Sequence, residues 1–233
     1  MKKIAISQSN YIPWKGYFDL INSVDEFVLY DDMQFTRRDW RNRNQIKTPT
    51  GLQWLTIPVE TKGKFHQRIN ETEASDSNWT KRHLRALELN YSPSAYCAHY
   101  WDVVREMYLD CASTNLSEIN HHFLTSLNRL LGITTPLRWS SDYCLTGDRS
   151  GRLLNICRQA GATVYVSGPS ARGYLEEAIF NQAGIQVAWM DYSDYRPYRQ
   201  LHGDFRHDVS IIDLLFNEGP RAPDFMKTLS APT

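Results

Sequence analysis

Short apolar runs and amphipathic stretches alternate at both ends of the chain, and this order constrains the fold more than any other feature. "KKIAIS" (2–7) reads as a buried strand and "NYIPWKG" as a loop punctuated by Pro13 and Gly16. "WKGYFDLINS" sets Tyr17, Leu20, Ile21 and Val24 at helical spacing, and "DEFVLYDD" is a second strand. "QWLTIPVE" reads as a third strand. From residue 135 the alternation returns, with strands in "TPLRWSSD", "TVYVSG" and "QVAWMDYS". Between them lie helices in "DRSGRLLNICRQAGA" and "SARGYLEEAIFNQAGI", each stopped by a glycine. "VSIIDLLFNEG" is a last helix, and the tail "PRAPDFMKTLSAPT" is expected to fray.

The middle differs. "SNWTKRHLRALELNY", "AYCAHYWDVVREMYLDC" and "NLSEINHHFLTSLNRLLG" are three consecutive amphipathic helices. The expectation is one α/β domain over 1–233. It has an open, mostly parallel, Rossmann-like sheet, of nucleotidyltransferase type among others, and a helical insertion at about 77–133. In such sheets ligands sit at the carboxyl ends of the strands. The loops "SQSNYIPWKG", "DDMQFTRRDWRNRN", "SGPSARGY" and "DYSDYRPYRQLHGDF" would then converge.

The second of these loops opens into the most unusual stretch, "QFTRRDWRNRNQIKT" (34–48). It carries Arg37, Arg38, Arg41, Arg43 and Lys47 around Trp40 against a single acid, Asp39. The whole chain holds 26 basic and 26 acidic side chains, which argues against a broad nucleic-acid surface and against DNA binding. Arginine presents a planar fork that fits carboxylate or phosphate and stacks on aromatic faces. The stretch therefore reads as the grip on a phosphorylated ligand with a flat group; the competing reading is a solvated loop of Arg–Asp pairs.

Asp31 and Asp32 end the second strand. Neighbouring strand residues point to opposite sides, so at most one faces a ligand. That carboxylate would bind a hydroxyl, act as a base or hold Mg²⁺, or else pair with the arginines. His202 in "QLHGDF" is a candidate acid or base at the site edge. His83 sits on a helix beside Lys81 and Arg82, and His121 and His122 face different ways, which argues against a metal pair. Ser167 and Ser170 lie in a Gly-bounded turn with no partner base in sequence. G-x-G-x-x-G, the P-loop, H-x-G-H and G-x-S-x-G are all absent.

Cys97, Cys111, Cys144 and Cys157 lack C-x-x-C spacing and read as reduced thiols. The apolar run after Lys2 and Lys3 is too short for a signal peptide, and no window approaches the ~18 apolar residues of a membrane span. A cytoplasmic protein with no membrane partner is expected.

The long block from Ser7 to Val59, together with "YVSGPSARGYL", "WMDYSDYRPYRQLHG" and "VSIIDLLFNEGP", resembles the WbqC-like protein family over about residues 3–220. By that resemblance the family signature falls on Asn10, Tyr11, Pro13, Trp14, Gly16, Tyr17, Asp31, Asp32, Gln34, Phe35, Trp40, Asn42, Arg43 and Lys47, and then on Ser167, Gly168, Tyr174 and His202. Ser9 stands where the family pattern has Pro, which would leave that loop less rigid.

The resemblance implies a role in bacterial O-antigen and related surface-polysaccharide biosynthesis: an aminoacyl, glycyl, group is transferred to a nucleotide-linked amino sugar. Arg41, Arg43 and Arg38 or Lys47 would hold the diphosphate. Trp14, Tyr11, Tyr17 or Trp40 would stack on base or sugar. Asp32 or His202 would deprotonate the amine. The missing ATP motifs point to an activated donor, a charged tRNA or a carrier-protein thioester, and no cofactor is implied. Two alternatives stand: a non-catalytic nucleotide-sugar-binding protein, and an adenylyl transferase needing Mg-ATP.

Overall fold

The structure, a computed structural model, describes residues 1–229. Strand β1 (Lys3–Ser7) runs parallel to β2 (Glu26–Leu29) on one side and to β6 (Val164–Ser167) on the other. β5 (Leu137–Trp139) extends the sheet beyond β2, and β7 (Gln186–Trp189) extends it beyond β6. The order is β5-β2-β1-β6-β7, all parallel, as the alternation predicts. Strand order reverses between β1 and β6, so the crevice of an open α/β sheet belongs there.

Period-two alternation sorts the strand side chains between two cores. Ala5, Phe27, Leu29, Val164 and Val166 face one core. It contains α1 (Lys15–Asn22), α2 (Trp79–Tyr91), α3 (Cys97–Leu109), α4 (Leu116–Leu131) and α7 (Ile211–Glu218). Ile4, Ile6, Val28, Tyr30 and Tyr165 face the other, against α5 (Arg149–Gln159) and α6 (Glu177–Gln182). The three middle helices supply Leu87, Val104, Phe123 and Leu127 to the first core, so they cover the sheet as well as following one another in the chain. Each fully buried phenylalanine, such as Phe27, Phe123 or Phe216, contributes about 1.5–3 kcal/mol relative to exposure.

The helix ends follow local chemistry. The Asn115 side chain accepts from the amides of Ser117 and Glu118 at the start of α4, and Gly132 closes that helix at φ +73°. Asp148 caps α5 by accepting from the Gly151 amide. Cys97 and Cys157 are buried, Cys111 is half-buried and Cys144 is exposed, all as free thiols.

Four elements differ from the sequence reading. The basic stretch is only partly loop: β3 (Arg43–Thr48) pairs antiparallel with β4 (Gly51–Thr56) in a separate hairpin. "QWLTIPVE" therefore does not join the central sheet. The Pro49-Thr50 turn between the strands was the legible signal, because a two-residue connection makes antiparallel neighbours. The predicted helix from Ser170 to Ile185 breaks into a 3₁₀ turn at Pro169–Gly173 and the short α6. The Tyr/Pro-rich segment after β7 is irregular but not wholly exposed, since Tyr195 and Tyr198 are buried.

The tail does not fray through residue 229; the last four residues lie outside those described. Ala222, Phe225 and Met226 are buried, and Lys227 and Thr228 are bound to Asp19. Apolar residues spaced among prolines had no helical period to betray this packing. Among the described residues, no helix is long and apolar enough to cross a membrane.

Candidate functional site

The carboxyl ends of β1, β2, β6 and β7 and the segments that follow them surround two adjoining cavities. A polar cleft of about 420 Å³ lies over the switch point. Ser7, Gln8 and Tyr17 line it from the β1 side, Tyr30, Met33 and Arg41 from the β2 side, and Ser167, Gly168, Ser170 and Tyr174 from the β6 side. Arg149, at the start of α5, completes it. The second cavity, about 560 Å³, is lined by Pro13, Trp14, Trp40, Tyr192 and Tyr195, with Asn10, Asn44, Asp194, His207 and Asp208 as its polar groups. Trp14 and Tyr192 line both, with ring centroids 5.2 Å apart, and form the wall between them.

Gly16 is what lets Trp14 stand there. A Cβ at Gly16 would lie 2.3 Å from the indole, closer than any real contact.

Arg41 couples the two cavities. Its Nε donates to Gln8 Oε1 at 2.7 Å on the cleft side, and its Nη1 donates to Asn10 Oδ1 at 2.7 Å on the other. Asp39 lies 3.6 Å from the same guanidinium. Arg149 stacks over the Tyr174 ring at 3.4 Å, which orients its fork without consuming its donors. Among the described residues, two arginines and no carboxylate line the cleft, which gives it a basic character.

Sequence reasoning missed Arg149, Asn44, Tyr192, Tyr195, His207 and Asp208. Arg149 had a signal, since it follows the Asp148 cap at a helix start. The others lay in the right loop or hairpin, but nothing local separated them from their neighbours.

Several of the other sequence candidates lie elsewhere. Tyr11 does not stack on a ligand: it is fully buried, with its hydroxyl 2.7 Å from Tyr108 Oη and 2.9 Å from His83 Nδ1. Tyr17 is buried and donates to the Gln8 carbonyl, so it braces the cleft floor. Asp31 is buried and accepts from the Ser9 amide at 2.8 Å and Ser117 Oγ at 2.5 Å. Burial raises its carboxyl, with the Ser117 and Ser9 bonds opposing. The Ser9 amide and hydroxyl thus pin the loop that the missing proline was expected to loosen; the hydroxyl accepts from Asn120.

Asp32 points away from the cleft to Ser140, Asn70 and Arg68, because consecutive residues diverge at the strand end. His202 sits at φ +65° with Nε2 3.0 Å from the Asn90 carbonyl at the end of α2, and lines neither cavity.

Arg43 stacks on Trp54 at 3.9 Å and donates to the Arg38 carbonyl, so it stiffens the hairpin. Arg38 itself is exposed at φ +59°. Lys47 is buried and donates to the Asp204 carbonyl at 2.6 Å, tying the hairpin to the segment after β7. Asn42 is buried and donates to the Ile57 carbonyl, and Gln34 donates to the Phe65 carbonyl. The residues the structure brings together from the sequence list are Asn10, Trp14, Tyr17, Trp40, Arg41, Ser167, Gly168 and Tyr174.

His83 carries a pH prediction. Its Nε2 lies 3.1 Å from the Thr56 carbonyl, which only accepts. The proton therefore sits on Nε2, and the unprotonated Nδ1 lies 2.9 Å from the Tyr11 hydroxyl. Burial pushes this imidazole down to about 4. The unfolded chain binds a proton below about 6.5 that the fold excludes. Stability should therefore fall by about 3 kcal/mol as pH drops from 6.5 to 4. Raised Asp31 and Asp213 act in the opposite sense, so the comparison is with His83→Gln. Urea unfolding at pH 7 and 4.5 should show a larger loss in the wild type; equal losses would mean that His83 is charged in the fold.

An open parallel sheet with a basic crevice at its switch point, beside a second, aromatic cavity, defines an α/β protein of the open-sheet class. The chain belongs to the WbqC-like protein family, whose model matches residues 8–225. It is 56% identical over 227 residues to a Mycobacterium tuberculosis protein named "Uncharacterized protein Rv1507c", covering 97% of this chain and 98% of that one. No solved structure matches.

Proposed function

We propose that this protein is a cytoplasmic transferase of bacterial surface-polysaccharide, O-antigen-type, biosynthesis that attaches an aminoacyl group, glycyl, to a nucleotide-linked amino sugar. The observation that carries the substrate class is the crevice between β1 and β6 with Arg41 and Arg149 at its walls. A diphosphate accepts from both forks, and each charge-assisted bond contributes about 1.5–3 kcal/mol. The reaction class rests on what the family resemblance implies.

In the step itself the amine lone pair attacks the acyl carbon of an activated ester or thioester, from a charged tRNA or a carrier protein. A C–N bond forms and the C–O or C–S bond breaks. The leaving group takes the bonding electrons and a proton from the amine. Asp32 and His202 point away from both cavities, which favours one competing reading, a nucleotide-sugar-binding protein without chemistry.

Calorimetric titration with nucleoside diphosphates tests the substrate class. UDP or a close analogue should bind saturably, and more weakly as salt rises; if no nucleoside diphosphate binds, the reading fails. Mass spectrometry after incubating glycyl-tRNA with UDP-linked glucosamine tests the reaction. A glycyl adduct supports transfer, and binding without any adduct from tRNA or thioester donors supports the non-catalytic protein.

A further inference from the structure

The two cavities have opposite character. The cleft is lined by Arg41 and Arg149 and by no carboxylate. The aromatic cavity is lined by Asp194 and Asp208 and by no arginine or lysine. Only the Trp14–Tyr192 pair divides them, and Arg41 reaches a residue of each. A ligand whose anionic half sits on Arg41 would therefore place its other half among flat apolar walls and oxygen acceptors. Such surroundings suit a polyhydroxylated ring that stacks its C–H face and carries an amine.

His207 is the feature of this cavity that the fold itself leaves unexplained. Its ring packs edge-on against Phe205 at 4.5 Å and lies 6.2 Å from the Tyr195 ring. Its Nδ1 is buried from solvent and has no hydrogen-bond partner. A buried polar atom without a partner is costly, and a catalytic role is one of the explanations for it, beside a bound water or ion and local strain. Its surroundings favour the uncharged ring. Burial lowers the imidazole, and the Lys15 ammonium lowers it further. Asp208 opposes, but Arg206 already grips that carboxylate through two bonds, at 2.8 and 2.6 Å. Lys15 is itself buried over the faces of Tyr195 and Tyr198, at 4.7 and 5.2 Å, and donates to the Arg196 carbonyl. Burial brings it down to about 8.

We propose that the aromatic cavity is a second subsite for an amine-bearing, polyhydroxylated ring, and that His207 is the residue that accepts the proton from its attacking amine. This rests on the transferase reading above, with the ring as the sugar half of the ligand held in the cleft. The amine enters as its uncharged form, loses one N–H proton to His207 as its lone pair bonds the acyl carbon, and the imidazolium returns that proton to the leaving group.

The test uses the full-length protein carrying ¹³C-labelled histidine, with free glucosamine and UDP as separate probes. Glucosamine should shift the His207 resonance saturably, and glucose should do so less. His207→Gln should weaken glucosamine binding about tenfold, the loss of one good hydrogen bond, and leave UDP binding unchanged. In glycyl transfer it should lower kcat and remove the acid limb of the pH profile. If UDP binds while glucosamine leaves the wild-type His207 resonance unmoved, the second subsite is overturned and the cleft reading survives. If glucosamine binds at His207 and no nucleoside diphosphate binds anywhere, the cleft reading fails instead. A His207→Gln variant with unchanged kcat and pH profile would overturn the proton-acceptor role alone.

Discussion

Asp19→Ala should lower the free energy of unfolding by about 4 kcal/mol, the range seen when a buried charged acceptor is deleted and its donors are left behind. The carboxylate is fully buried on α1. It accepts from Tyr195 Oη at 2.6 Å, from the amides of Lys227 and Thr228 at 3.0 and 2.9 Å, and from Thr228 Oγ1 at 2.7 Å. Two backbone N–H groups and two hydroxyls lose their partner together. The same carboxylate positions Tyr195, a wall of the aromatic cavity, so glucosamine binding should fall with stability. UDP binding at the cleft, which Tyr195 does not line, should persist wherever the variant is folded. Urea unfolding gives the first number and titration the second. A loss under about 1 kcal/mol would mean that the tail and the Tyr195 segment find other partners. Asp19→Asn, which keeps one acceptor oxygen, should fall between the two.

The double variant Arg41→Ala/Arg149→Ala should abolish measurable UDP binding, and each single change should weaken it about 10- to 100-fold. Their structural costs differ. Arg149 is exposed and stacks on Tyr174, so its loss should change stability by less than about 0.5 kcal/mol. Arg41 also holds Gln8 and Asn10, so its loss should loosen the β1 loop as well as the ligand. Arg43→Ala is the informative control. The sequence reading placed it with Arg41 on the diphosphate, yet its guanidinium lies on Trp54. It should leave UDP affinity intact and reduce stability by about 0.5–1 kcal/mol, the value of an exposed cation–π contact. UDP binding that survives the double change would remove the cleft as its site.

The basic stretch illustrates why charge density in sequence is an incomplete guide to a site. Five cations within fifteen residues mark a region, but backbone geometry distributes them. Strand β3 begins at Arg43, and from there the side chains belong to a hairpin whose requirements are packing and pairing. Arg41 precedes the strand and turns into the gap between the cavities. Arg149 comes from more than a hundred residues away and needs only the parallel sheet to arrive. The histidines make the same point. His202 and His207 lie five residues apart in one irregular segment with no period to orient them. One satisfies a helix-end carbonyl, while the other enters a cavity.

By itself the sequence determined the parallel α/β sheet, the convergence of four strand-end loops, the existence of the three middle helices and the family. Those features rest on local signals: apolar period, caps, glycine stops and a long shared motif. Only the tertiary structure decided which arginines line the cleft, that Tyr11, Asp31 and Lys47 are internal braces, and that Trp14 and Tyr192 stand between the cleft and the aromatic cavity. Those outcomes depend on contacts between segments far apart in the chain, where burial and the demand for hydrogen-bond partners choose among residues of equal chemistry.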